Sequence, residues 1–167
     1  MTRFASRILV PTNFSPGSEQ AWSAAQRLAA PLGAELVLLH VLDEADLLRS
    51  LEPEERRAEA WSLHSAGELN IAPGPRESES PMTAQKWAQE QLEQWASAPR
   101  VAGLTVQTVV RAGDPRREII AAVKDVGADL IVLSTHGRGG VGRLVYGSVA
   151  DPIIRTAPCP VLVVHQA

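Results

Sequence analysis

The chain has a single cysteine, Cys159, in 167 residues. That excludes an internal disulfide framework and a thiolate-based zinc site. No long Lys/Arg run occurs, and the net charge is −3 with a pI near 5.8. There is thus no electrostatic reason to expect nucleic-acid binding. No apolar run approaches the ~20 residues of a membrane helix, so no membrane association is expected. The amino terminus, Met1 to Arg7, leads straight into a strand-like run. No signal peptide is expected, and a cytoplasmic location fits. The length suits one domain over 1–167 that can bury a core.

What the chain does have is a strand and helix alternation. Ile8-Leu9-Val10 is a short apolar run that Pro11 is expected to end. Ser15-Pro16 offers an N-cap and a first-turn proline. Ala21, Trp22, Ala25, Leu28, Ala29 and Leu32 then form one helical face, with Gly33 as the stop. Leu36 to Val41 is nearly all apolar, as a strand covered on both faces requires. Leu104–Val110 reads as a third strand. Asp114 and Pro115 open a helix that buries Ile119, Ile120, Val123 and Val126 and stops at Gly127. Leu130–Leu133, a helix over about 148–157, and Val161–Val164 complete a parallel α/β pattern.

Residues 43–81 read as a mostly irregular excursion, with a polar helix carrying Trp61 between Pro53 and about Ser65. Residues 82–97 read as a crossover helix. The tryptophans of 43–100 serve as anchors to the core, or Trp61 belongs to a flap or a surface for a protein partner.

The segment Ser134–Ser148 holds five of the chain's twelve glycines, at 137, 139, 140, 142 and 147. Glycine is costly to order and marks positive φ or close backbone approach. A Walker A loop is excluded, because Gly142-x4-Gly147 runs directly into Ser148 without the lysine. Gly137, Gly139 and Gly142 match a dinucleotide fingerprint. No long helix begins within it, however, and no acidic residue follows at the required distance. A dinucleotide oxidoreductase is therefore a weak alternative. Backbone amides in such a loop make an anion-binding concavity, and the Ser148 hydroxyl adds a donor. Otherwise the glycines only allow a tight loop and Ser148 only caps a helix.

The stretch Ser134-Thr135-His136-Gly137, nine residues and then Gly147-Ser148 resembles the signature Gly-x2-Gly-x9-Gly-Ser/Thr of the universal stress protein family. "RILVPTNFS", "GAELVLLHV", "VVRAGDPRREII" and "GSVADPIIRTAPCPVLVVH" are similar to that family in the same order, covering 5–42 and 100–166. The resemblance implies a five-stranded parallel sheet ordered 3-2-1-4-5 with helices on both faces, an adenine nucleotide alpha hydrolase-like fold. It implies ATP, or AMP or ADP in its place, held with Mg2+. Pro11, Thr12, Asn13 and Val41 would meet the base. Ser134, His136, Gly137, Arg138, Arg143, Gly147, Ser148 and Val149 would meet the ribose and phosphates. It also implies a homodimer through Val161, Leu162, Val163 and Val164. No metal ligand is expected from protein side chains, and at most slow hydrolysis is expected.

Three positions depart from the family pattern. Ser134 replaces the first glycine and would resist a positive φ. Asn13 stands where many members carry aspartate. It is expected to keep a carbonyl acceptor for an adenine amino group while removing a negative charge. Pro152 follows Asp151, so either Ser148 or Asp151 caps the last helix. If the site is lost, the same fold would serve as an interaction module without nucleotide. Ser148, His136 and Asp151 lack the elbow motif of a hydrolase. Cys159 reads as a packed small hydrophobe.

Overall fold

The computed structural model describes residues 4–43, 81–97, 102–135 and 147–165. Five strands form one parallel sheet in the order β3-β2-β1-β4-β5. In chain order the elements are β1 (Arg7–Thr12), α1 (Pro16–Leu32), β2 (Glu35–Leu42), α2 (Pro81–Ser97), β3 (Val106–Ala112), α3 (Pro115–Val126), β4 (Leu130–Thr135), α4 (Ala150–Thr156) and β5 (Val161–His165).

Alternation along the three inner strands divides the core. Ile8, Val10, Leu36, Leu38, Leu130 and Val132 face α1 and α2, where Ala21, Trp22, Ala25, Ala29 and Leu92 meet them. Leu9, Val37, Leu39, Ile131 and Leu133 face α3 and α4, where Ile119, Ala122, Val123 and Ile153 meet them. Strands apolar on both faces are therefore covered on both faces, as a parallel sheet requires.

The capping signals act as the sequence suggests. The Ser15 side chain accepts from the Ser18 N–H, and Gly33 closes α1 with φ 61°. The Asp114 side chain accepts from the Arg116 N–H, and Gly127 closes α3 with φ 65°. Left-handed caps of this kind favour glycine because it has no Cβ.

Three boundaries differ from expectation. Pro11 does not end β1, which runs on to Thr12, with Pro11 in register with Leu39 and Thr12 with His40. A proline is tolerated there because the ladder to β4 involves only Ile8 and Leu9. Where Pro11 has no N–H to give, no β4 bond is required of it. The third strand lies two residues later than Leu104–Val110. Its register with Leu36–Leu42 sets its ends. Arg111 is tolerated in this edge strand because it pairs with Glu118 at 3.4 Å and Asp125 at 2.5 Å. Neither Ser148 nor Asp151 caps α4. The cap is Val149, without a side-chain hydrogen bond. The Asp151 carboxylate goes instead to Arg155 at 2.9 Å. Pro152 is the third helical residue, where its missing N–H would have had no partner in the helix.

Among the described residues no helix is long and apolar enough to cross a membrane. The expected irregular excursion, including Trp61, falls almost wholly outside the described residues.

Candidate functional site

At the amino end of the sheet, β1 and β4 are held together. The Asp129 carboxylate accepts from the backbone N–H of Ser6 at 2.8 Å and of Arg7 at 2.9 Å. At the carboxyl end the two strands part after Leu9. Their connections leave in opposite directions there, α1 toward β2 and the last loop toward β5. An open α/β sheet forms a crevice at such a point.

A cleft of about 270 Å³ occupies it. Its apolar wall comes from Leu39, Val41, Ile119, Leu133 and Ile153. Its polar wall comes from Thr12, Asn13, Ser18, Ser134 and Ser148. This mix suits a ligand with one apolar ring system and one hydrogen-bonding end. Eight of the twelve expected ligand residues line it: Pro11, Thr12, Asn13, Val41, Ser134, Gly147, Ser148 and Val149. The other four, His136, Gly137, Arg138 and Arg143, lie outside the described residues.

The turn from β1 into α1 is the most constrained part of the site. The Phe14 N–H donates to the Thr12 Oγ1 at 2.9 Å. The Ser15 N–H donates to the Asn13 Oδ1 at 3.2 Å, and the Ser18 hydroxyl donates to that same oxygen at 2.7 Å. The Asn13 N–H in turn donates to the Ser18 Oγ at 3.3 Å. Phe14 adopts φ 60°, the left-handed region, although it carries a side chain. Its ring is buried against His40, Trp87 and Trp95, with centroids 4.6, 5.6 and 5.6 Å away. A backbone conformation costing ~1–2 kcal/mol persists because that packing holds it. Trp87 and Trp95 thus anchor α2 at this turn, as expected of tryptophans in this region.

This turn changes the expected role of Asn13. Its carbonyl oxygen serves the start of α1 twice over, so it is not the acceptor that the sequence suggested for an adenine amino group. An amide oxygen has two lone pairs, and both are used here. Ser134, by contrast, sits comfortably. It lies within β4, in register with Val164, and its φ is not positive. Gly17 lets it fit, since a Cβ there would stand 3.2 Å from the Ser134 Oγ. Gly147 also has no positive φ, and among the described residues nothing lies within 4 Å of a Cβ built on it.

Sequence reasoning missed Ser18, Leu39, His40, Asp43, Pro115, Ile119, Leu133 and Ile153 as lining residues. Asp43 directly follows β2, a position that could have been read as cleft-facing by the rule that found Val41. His40 is buried, and its Nδ1 lies 2.8 Å from the Thr12 carbonyl oxygen. That nitrogen must carry the proton, because a carbonyl only accepts. Ile119 was legible only as helix core, and Ile153 only as part of the last helix. Among the described lining residues Asp43 alone is an acid or a strong base.

Away from the cleft, Cys159 packs half-buried against the α3 and α4 layer. Burial first, and the Asp129 carboxylate second, push its thiol up from the usual range. The β5 strand is a sheet edge, paired with β4 alone, and Leu162 is 41% exposed on it.

Comparison with known proteins agrees with this architecture. A model described as "Universal stress protein family" matches residues 5–165. Universal stress protein MJ0577 of Methanocaldococcus jannaschii is 29% identical over 166 residues, covering 99% of this chain and 98% of its own. The solved structure of MJ0577 superposes with a TM-score of 0.69 over 99% of each chain. A universal stress protein solved in complex with cAMP is 22% identical, with a TM-score of 0.63 over 98% of this chain and 99% of its own. A family protein from Arabidopsis thaliana, solved with AMP bound, is 17% identical, with a TM-score of 0.56 over 97% of this chain and 92% of its own.

Proposed function

Because this chain belongs to the universal stress protein family, we propose that it binds a purine nucleoside phosphate at the carboxyl ends of β1 and β4. ATP is the form that the resemblance implies, with AMP or ADP as shorter occupants. The observation that carries this reading is the cleft itself. It lies at the switch point of the sheet, and eight residues expected to meet a nucleotide converge on it. That cAMP and AMP are bound in two proteins of the same fold supports it. In this reading the base lies against Leu39, Val41 and Leu133, and the phosphates lie toward Gly147, Ser148 and Val149. Arg138 and Arg143 would supply positive charge to the phosphates. The protein acts as a nucleotide-responsive binding protein in the cytoplasm. It forms a homodimer by pairing β5 with its symmetry mate, and the 43–100 region receives a protein partner.

Mg-ATP tests this by thermal shift. A ligand at 100 times its Kd stabilises by ~2.7 kcal/mol, worth several degrees in a domain of this length. No shift at millimolar Mg-ATP or Mg-ITP, with no binding of either by dialysis, would overturn the reading. The interaction module without nucleotide would then stand in its place.

A further inference from the structure

Asn13 is held so that it shows the cleft a hydrogen-bond donor. The Ser15 backbone N–H, 3.2 Å away, can only donate, so the side-chain atom facing it is the carbonyl oxygen. The Ser18 hydroxyl takes the other lone pair of that oxygen at 2.7 Å. What remains is the amide nitrogen, with two N–H groups and no acceptor among the described residues. Asn13 is an exposed residue lining the cleft, beside the apolar wall of Leu39 and Val41. The Thr12 oxygens of β1 each accept a bond already, and Thr12 is itself buried. The Thr12 carbonyl has His40 Nδ1 at 2.8 Å, and the Thr12 hydroxyl oxygen accepts from the Phe14 N–H.

We infer that Asn13 selects a purine carrying an oxo group at its six position over one carrying an amino group there. This rests on the proposal that the cleft takes a purine nucleotide. An exocyclic amino group brought against Asn13 sets donor against donor, and both lose the water that had satisfied them. A six-oxo group accepts from the Asn13 amide instead. A polar group left unpaired by the wrong ligand disfavours that ligand, here by the worth of one hydrogen bond because Asn13 is exposed. An aspartate at position 13 would behave oppositely. One carboxylate oxygen would keep the bonds from Ser15 and Ser18, and the second would accept from an amino group.

Isothermal titration with Mg-ITP and Mg-ATP tests this. The two differ at the six position and in the N1 proton that accompanies the oxo group. The wild-type chain is expected to bind ITP about tenfold tighter than ATP, the worth of one hydrogen bond. Asn13→Asp is expected to level or reverse that ratio. Ser18→Ala, which releases one lone pair of the Asn13 oxygen, should shift the ratio toward ATP. The wild-type ratio is decisive even if a variant fails to fold. Binding of both nucleotides with ATP equal or tighter would overturn this inference and leave the nucleotide proposal standing. Binding of neither at millimolar concentration would overturn both.

Discussion

Ser18→Ala probes the network that holds the first turn of the site. Ser18 is 4% exposed and has three hydrogen-bonding roles. Its hydroxyl donates to the Asn13 Oδ1 at 2.7 Å, accepts from the Asn13 N–H at 3.3 Å, and lies 3.3 Å from the Ser15 Oγ. Its backbone N–H, which the variant retains, still donates to the Ser15 side chain. A net hydrogen bond contributes ~1 kcal/mol, and the bond at 3.3 Å contributes less. Water entering from the cleft can satisfy the exposed Asn13 again, which keeps the loss small. Alanine also gains a few tenths of a kcal/mol in helix propensity over serine. The balance is a destabilisation of about 1 kcal/mol, a fall in Tm of roughly 2–4 °C for a chain of this length. Urea denaturation followed by circular dichroism measures it. The decisive arm is the double-mutant cycle. In an Asn13→Ala background the partner oxygen is gone and only the 3.3 Å contacts to the residue 13 N–H and the Ser15 hydroxyl remain, so Ser18→Ala should cost clearly less there. An equal loss in both backgrounds would refute the assigned network and remove the basis for a donor-only Asn13.

Three further outcomes follow from other features. Gly127→Ala should cost ~1 kcal/mol, because φ is 65° there although its nearest neighbour to an added Cβ is 3.8 Å away; Gly147→Ala should leave Tm unchanged while lowering nucleotide affinity, and the two melts separate strain from ligand contact. The Cys159 thiol, whose pKa is raised by burial, should react with a disulfide reagent at pH 8 more slowly than free cysteine does; because its folded pKa lies above the unfolded one, the stability it confers is full below the unfolded pKa and falls as pH rises through the folded value. Val163→Pro removes an N–H from the β5 edge, so light scattering should show a dimer for the wild-type chain and a monomer or precipitate for the variant; a wild-type monomer at tens of micromolar would refute edge pairing.

The fold was legible where local chemistry and the global sheet agree. Continuous apolar runs at 36–41 and 130–133 gave inner strands. Ser15, Asp114, Gly33 and Gly127 gave helix ends, because each acts through its immediate neighbours. The strand order came from the family resemblance. Boundaries set by distant partners were not legible. Pro11 stays in β1 because β4 asks nothing of it, and β3 is shifted two residues to match β2. Of the site, the residues ending strands β1, β2 and β4 could be placed from sequence. The commitment of the Asn13 oxygen could not, since it depends on the turn that Phe14 makes with a positive φ. Nor could Ile119, whose helical spacing says only that it is buried and not that a cleft reaches it.

Occupation of the crevice between β1 and β4 by a purine nucleotide can be located directly. A two-dimensional amide NMR titration with Mg-ATP and Mg-ITP tests it most directly, since it locates the ligand residue by residue. Saturable shifts are expected at Thr12, Asn13, Val41, Asp43, Ser134, Ser148 and Val149, with little change at Gln107 on β3 or Lys124 on α3. Absence of shifts with both nucleotides at millimolar concentration, or shifts confined to residues outside the cleft, would contradict it.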